Sequence, residues 1–96
     1  MKMIMVVYSA AADYDIMFKL KEHGISGYTK LQKVCGEGTE TEPKLNTHTW
    51  PGDNNMLLIA SSDEDANSII NVLGELKKIH VRAGIRGFVM PLTEVV

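Results

Sequence analysis

Two short stretches of this 96-residue chain are apolar on both faces of a strand, which limits how the rest can be arranged around them. In the run from Met3 to Tyr8, Met3, Met5 and Val7 alternate with Ile4, Val6 and Tyr8. In the run from Asn55 to Ser61, Met56, Leu58 and Ala60 oppose Leu57 and Ile59. Strands that bury one face only alternate apolar with polar, whereas strands covered on both sides read as continuous apolar runs. Each large apolar side chain left in water forgoes roughly 1.5–3 kcal/mol. Both faces of the sheet therefore call for a cover, and the chain must supply it or find it.

The remaining elements follow from periodicity and caps. Ser9 is placed to cap a helix from about Ala10 to His23, with Tyr14, Met17, Phe18 and Leu20 as its apolar face at three- and four-residue spacing. Asp13 and Asp15 near its start and Lys19, Lys21 and His23 near its end complement the helix dipole. Gly24 followed by Ile25 is a stop signal, since glycine takes the left-handed conformation and Ile25 packs back. A second strand fits Tyr28 to Cys35. Ser61 with Glu64 matches a capping box, and Ala66, Ile69, Ile70, Leu73 and Leu76 form the stripe of a second helix closed by Lys77 and Lys78. The last strand is expected over Gly87 to Leu92, with Pro91 placing it at an edge or near its end.

The order is βαββαβ, the split βαβ unit. The expected fold is α+β: a ferredoxin-like sandwich with a four-stranded antiparallel sheet and two helices. The right-handed crossover rule puts both helices on one face. Two helices cannot cover the other face, so the chain is expected to self-associate there. A length of 96 residues suits a single domain, 1–96, with a long loop at about 36–54.

Composition excludes several classes. Ten basic and twelve acidic residues give a net charge of −2, without the basic surface that nucleic acid or an anionic membrane requires. The lone cysteine, Cys35, rules out an intramolecular disulfide and an iron–sulfur centre. The apolar run before Ser9 is too short for a signal peptide or a spanning helix, so the expected location is the cytoplasm. Nothing brings together a nucleophile and a base or a pair of carboxylates, and no enzyme activity is expected. An acylphosphatase, which shares this fold, needs an arginine after the first strand, where this chain has Ser9-Ala10-Ala11-Ala12.

The residues that carry chemistry lie in two places. The nineteen residues from Gly36 to Asn54 are too long for an ordinary connection and mark either a functional loop or a disordered segment. It holds the chain's single tryptophan, Trp50, near His48 and Asn54, where an aromatic anchor favours a ligand or partner contact, or pins the loop to its own domain or a neighbouring subunit. Gly36-Glu37-Gly38 at its start either lets backbone N–H groups approach an anion or simply makes a turn. Near the C-terminus, Arg82 and Arg86 flank Gly84 and either offer charge-assisted bonds to phosphate or carboxylate or belong to a solvated turn. Lys33 is expected to share a strand face with Cys35. No histidine or cysteine pair has a metal-ligand spacing, and Met1, Met3 and Met5 read as packing.

With this order, the chain resembles the PII-type nitrogen-regulatory proteins and their PII-like relatives. Gly27-Tyr28-Thr29 entering the second strand, Val34-Cys35-Gly36-Glu37-Gly38 opening the long loop, and Phe88-Val89 in the last strand carry the resemblance. It implies a non-enzymatic trimer that takes a small anionic effector, such as an adenine nucleotide, in clefts between subunits, and signals to a target protein through the loop. Thr29, Gly36, Glu37, Gly38, Arg82, Gly84 and Arg86 would then bind the effector, and His48, Trp50 and Asn54 would meet the partner. The chain departs from the family in having Cys35 where nucleotide-binding members usually carry lysine, and Ala83-Gly84-Ile85-Arg86 where they read Gly-Asp-Gly-Lys. It also has no tyrosine in the loop. The alternative is a trimeric divalent-metal protein similar to the CutA family, with His48 and acidic loop residues as ligands. An ACT-like amino-acid-binding domain is a third reading, weakened because such domains are usually joined to an enzyme.

Overall fold

A computed structural model describes residues 1–36 and 53–96 of the chain. Strand β1 (Lys2–Ser9) runs through one turn of 3-10 helix (Ala10–Ala12) into α1 (Asp13–Glu22). Then come β2 (Thr29–Val34), β3 (Asn54–Ser61), α2 (Asp63–Ile79) and β4 (Arg86–Pro91). The strands form an antiparallel sheet of order β2-β3-β1-β4, with the helices over one face. This is the expected ferredoxin-like fold.

Several boundaries move. The first helix does not start at Ala10: Ser9 Oγ accepts from the Ala11 N–H at 3.4 Å, and the Asp13 N–H donates to Ala10 O, closing a tighter turn first. The helix does not bury Tyr14 and Phe18, which are 76% and 55% exposed and stack on each other at 6.3 Å. Its buried stripe is Ile16, Met17 and Leu20, and at 100° per residue positions 14 and 18 lie on the opposite side from Ile16. The stop at Gly24 is a Schellman motif: with Gly24 at φ 81°, the Ile25 N–H donates to Leu20 O and the Gly24 N–H to Lys21 O.

The cap of α2 is Ser62, whose Oγ accepts from the Asp65 N–H at 3.0 Å, one residue later than expected. Ser61 is instead buried as the last residue of β3. Along α2 the stripe includes Val72, while Ile70 turns to solvent.

The core lies between the helices and one face of the sheet, where Ile4, Val6, Tyr8, Leu57 and Ile59 meet Ile16, Leu20, Ile69 and Leu76. The other face carries no element among the described residues. Register aligns it in rows that cross the sheet, because residues directly opposite in a ladder share a face. One row is Thr29, Leu58, Met5 and Phe88; the next is Leu31, Met56, Val7 and Arg86. Met3 lies between Ala60 and Met90 in a third. Phe88 is 50% and Leu31 40% exposed. The two-sided apolar reading of β1 and β3 thus appears as a wide uncovered surface, holding four of the six methionines, Met3, Met5, Met56 and Met90.

Candidate functional site

One end of the sheet collects the C-terminal ends of β1 and β2 and the N-terminal ends of β3 and β4. The segment after β1 ties this end together. The Ser9 N–H donates to Ala83 O at 2.8 Å, and the Ala10 N–H donates to Asp53 O at 2.6 Å. The first bond holds the turn before β4, and the second holds the residue that leads into β3.

The turn before β4 carries Arg82 and leads directly into Arg86. Ile85 is buried in the core and Ala83 packs against it, which fixes the backbone. Gly84 takes φ 64°, a left-handed value suited to glycine. Arg82 and Arg86 are exposed on either side. Arg86 is the first residue of β4 rather than part of the turn, and lies opposite Val7 on the uncovered face.

The other half of the expected site lies on the opposite edge. Thr29, the first residue of β2, is exposed and pairs with Leu58 on the uncovered face. Gly36 is exposed just beyond the strand's end. Pairing of β2 with β3 shifts between Leu31 and Val34, and Lys33 within that bulge has φ 59°. The bulge restores Val34 to the face of Leu31, since its partner Asn54 shares parity with Met56. Simple alternation therefore breaks within β2, and Cys35 lies beyond the strand's last paired residue, so no ladder position relates it to Lys33. Glu37, Gly38, His48 and Trp50 lie outside the described residues.

Within one protomer these halves do not meet. Strands β3 and β1 separate the edges, so three inter-strand spacings, about 14 Å, lie between β2 and β4. Guanidinium groups on one edge and a glycine-bearing strand exit on the other are suited to gripping an anion from two sides, if a second copy brings them together.

A polar cluster beneath this end escaped the sequence reading. Asp13, the first residue of α1, accepts a 2.6 Å hydrogen bond from the Tyr8 hydroxyl and a 3.3 Å bond from Asn55 Nδ2 at the same oxygen. Its other oxygen receives Lys30 Nζ at 2.9 Å. Tyr8 and Asn55 are buried, while Asp13 and Lys30 are partly covered. The Lys30 ammonium also sits 5.9 Å from the Tyr28 ring centre. Burial pushes the Tyr8 phenol well above its usual range, and the bond to ionised Asp13 adds to this. Burial alone would raise the Asp13 carboxyl, but bonds from Tyr8, Lys30 and Asn55 and the lysine charge outweigh it and hold it below the ordinary value. Tyr8 and Asn55 at helix-facing strand positions were the available signal, since a buried polar side chain needs a partner.

No group of three or more His, Cys, Asp or Glu side chains is placed to hold a metal among the described residues. His23 Nδ1 lies 3.0 Å from Lys19 O, and His80 Nε2 lies 3.3 Å from Asp15. No helix among those residues is long and apolar enough to cross a membrane.

Comparison with protein-family models matches residues 1–96 to the nitrogen regulatory protein P-II family. Comparison with curated proteins finds no match. Among solved structures, the chain is similar to a PII-like signalling protein from Thermus thermophilus, with a TM-score of 0.67 and 25% identity over 93% of this chain and 83% of that one. It is also similar to CPII, a nitrogen regulatory PII-like protein from Thiomonas intermedia, bound to ADP, AMP and bicarbonate. That match has a TM-score of 0.70 and 14% identity over 99% of this chain and 94% of the other. A second structure of CPII, bound to ADP and bicarbonate, matches at 0.69 and 17% identity, over 93% and 82%.

Proposed function

The chain belongs to the nitrogen regulatory protein P-II family, whose members are regulatory proteins, and we propose that it is a non-enzymatic, cytoplasmic sensor working as a homotrimer. A small anionic effector, an adenine nucleotide with or without bicarbonate, occupies the crevice between one subunit's β2 edge and the next subunit's turn before β4. Thr29 and Gly36, with Glu37 and Gly38 following, supply one wall. Arg82, Gly84 and Arg86 supply the other. The loop that contains His48 and Trp50 and ends at Asn54 carries the signal to a target protein.

The observation that carries this reading is the division of the candidate residues between opposite edges of a sheet whose outer face is apolar. Covering that face with further copies accounts for Met5, Leu58 and Phe88 in water, and the same packing sets unlike edges side by side. The nucleotide and bicarbonate seen in CPII support the chemical class.

Calorimetric titration with ADP, AMP and bicarbonate tests it, together with light scattering. We expect a trimer with saturable ADP binding that Arg82→Ala/Arg86→Ala weakens at least tenfold, the loss anticipated for charge-assisted bonds. A trimer that takes none of these effectors overturns the ligand assignment; a monomer overturns the crevice.

A further inference from the structure

We propose that Asp13 is a positioning residue for the effector crevice: its carboxylate holds both strands flanking residues 37–52 against the first turn of α1, and so aims residues it does not touch. The inference rests on the effector reading above. Four elements meet at this carboxylate, through Tyr8 on β1, Lys30 on β2, Asn55 on β3 and Asp13 itself on α1. Each partner is the chain neighbour of a residue that lines the proposed crevice, ends the loop or is bonded to the arginine-bearing turn. Lys30 follows Thr29, Asn55 follows Asn54, and Tyr8 precedes Ser9, whose N–H holds Ala83 of the arginine-bearing turn.

Successive side chains on a strand point to opposite faces. Drawing Lys30 down to Asp13 on the helix side therefore sets Thr29 out on the uncovered face. Drawing Asn55 down does the same for Asn54. Strand β2 needs such a tie, because among the described residues it is an edge strand paired with β3 alone, and its pairing slips between Leu31 and Val34. Among the described residues, the Lys30–Asp13 pair is the salt bridge that fastens it to a helix.

Stability alone is a weak reason to keep such a cluster. Well-packed apolar side chains of similar volume often replace a shielded ion pair at no loss, whereas a pair with defined partners enforces one arrangement. The phenol of Tyr8 and the amide of Asn55 both donate to one oxygen, which leaves the other for the lysine and specifies the rotamer of each group.

The test uses the full chain with Asp13→Asn, Lys30→Met, the double variant, and Lys30→Arg as the conservative replacement. Amide hydrogen exchange is read first, without ligand. We expect exchange to quicken about tenfold in β2 and the Asn54 end of β3 in Asp13→Asn and Lys30→Met, with the β1–β4 ladder unchanged, and the double variant no worse than the worse single. Lys30→Arg should keep the original pattern. Calorimetry with ADP should then show Kd weakened about five- to tenfold in the two single variants, the size of one ordinary net hydrogen bond, and restored in Lys30→Arg. Exchange that is unchanged or that rises evenly over the whole sheet overturns the positioning role. So does wild-type ADP affinity in Asp13→Asn. If the wild-type chain takes no ADP, the effector reading falls by that result, and the exchange pattern still decides for Asp13.

Discussion

Lys33 has a φ of 59° in the bulge of β2, which no other residue except glycine matches among the described residues. A left-handed conformation costs a side-chain-bearing residue about 1–2 kcal/mol, and glycine returns part of that through its larger unfolded-state entropy. Lys33→Gly should therefore raise stability by about 0.5 kcal/mol, and Lys33→Val should lower it by more than about 1 kcal/mol, both read by urea denaturation. The cluster around Asp13 makes a second prediction, in pH. Its folded pKa is depressed, so the stability it contributes is present above the ordinary carboxylate value and is lost as pH falls through the folded one. Tyr8 has the opposite sign: its folded pKa is raised, so its contribution is whole below about pH 10 and is lost above it, as the unfolded phenol ionises. Asp13→Asn should flatten the acid limb of a stability–pH profile below about pH 4, and Tyr8→Phe should flatten the alkaline limb above about pH 10. Either limb persisting unchanged in its variant would assign it to other groups. The sequence hinted at the cluster only through polar groups at helix-facing strand positions and gave no sign of the bulge. Tyr8 reads as one more apolar strand residue and Asp13 as a helix-dipole carboxylate, because a single sequence does not show which polar groups meet across the fold. The bulge has no glycine to announce it.

At the scale of elements, the order βαββαβ, the Gly24 stop and the two faces of β1 and β3 could be read directly, because hydrophobic period and turn chemistry are local properties. The edges could not. Whether Ser61 or Ser62 caps α2 depends on which serine β3 still needs in its ladder with β1, where Ser61 pairs with Lys2. That is tertiary information. Rotation about a helix axis is likewise set by what it packs on, so Tyr14 and Phe18, apolar and four apart, read as core and prove to be surface. Packing of α2 on β4 offers a test of its own. Gly87 lies opposite Val6 and faces the helices, and a Cβ built there would come within 2.9 Å of Leu73 Cδ1. A leucine methyl yields more readily than backbone, so Gly87→Ala should be mild. Gly87→Val adds branches that the buried Leu73 cannot avoid, and should destabilise the fold by about 1–3 kcal/mol, as overpacking does. Thermal unfolding of the two variants checks this, with Leu73→Ala in the Gly87→Val background recovering part of the loss.

For the molecule as a whole, the uncovered face decides whether one copy is enough. Met5 sits at the centre of that face, between Leu58 and Phe88, and points away from the helix-side core. Met5→Glu should therefore leave the protomer folded, with unchanged far-ultraviolet circular dichroism, and yield monomers by light scattering. If the crevice is shared between copies, its halves are also separable genetically. One variant, Arg82→Ala/Arg86→Ala, loses the turn; another, Thr29→Asp, places a negative charge on the β2 edge, where it repels an anionic effector. Each alone should bind ADP poorly. Unfolded together in equal amounts and refolded, they would form mixed trimers in which every crevice draws its turn from one chain and its edge from the next. Random mixing leaves both halves intact in about one quarter of the crevices, since closed cyclic assembly makes each contact heterologous. Titration of the mixture should accordingly recover about a quarter of the wild-type ADP capacity at wild-type affinity. A site held within a single protomer predicts no recovery, because every chain in the mixture is defective. The distance across four strands already separates the two halves in one copy; the mixed trimer asks whether the neighbour closes the gap.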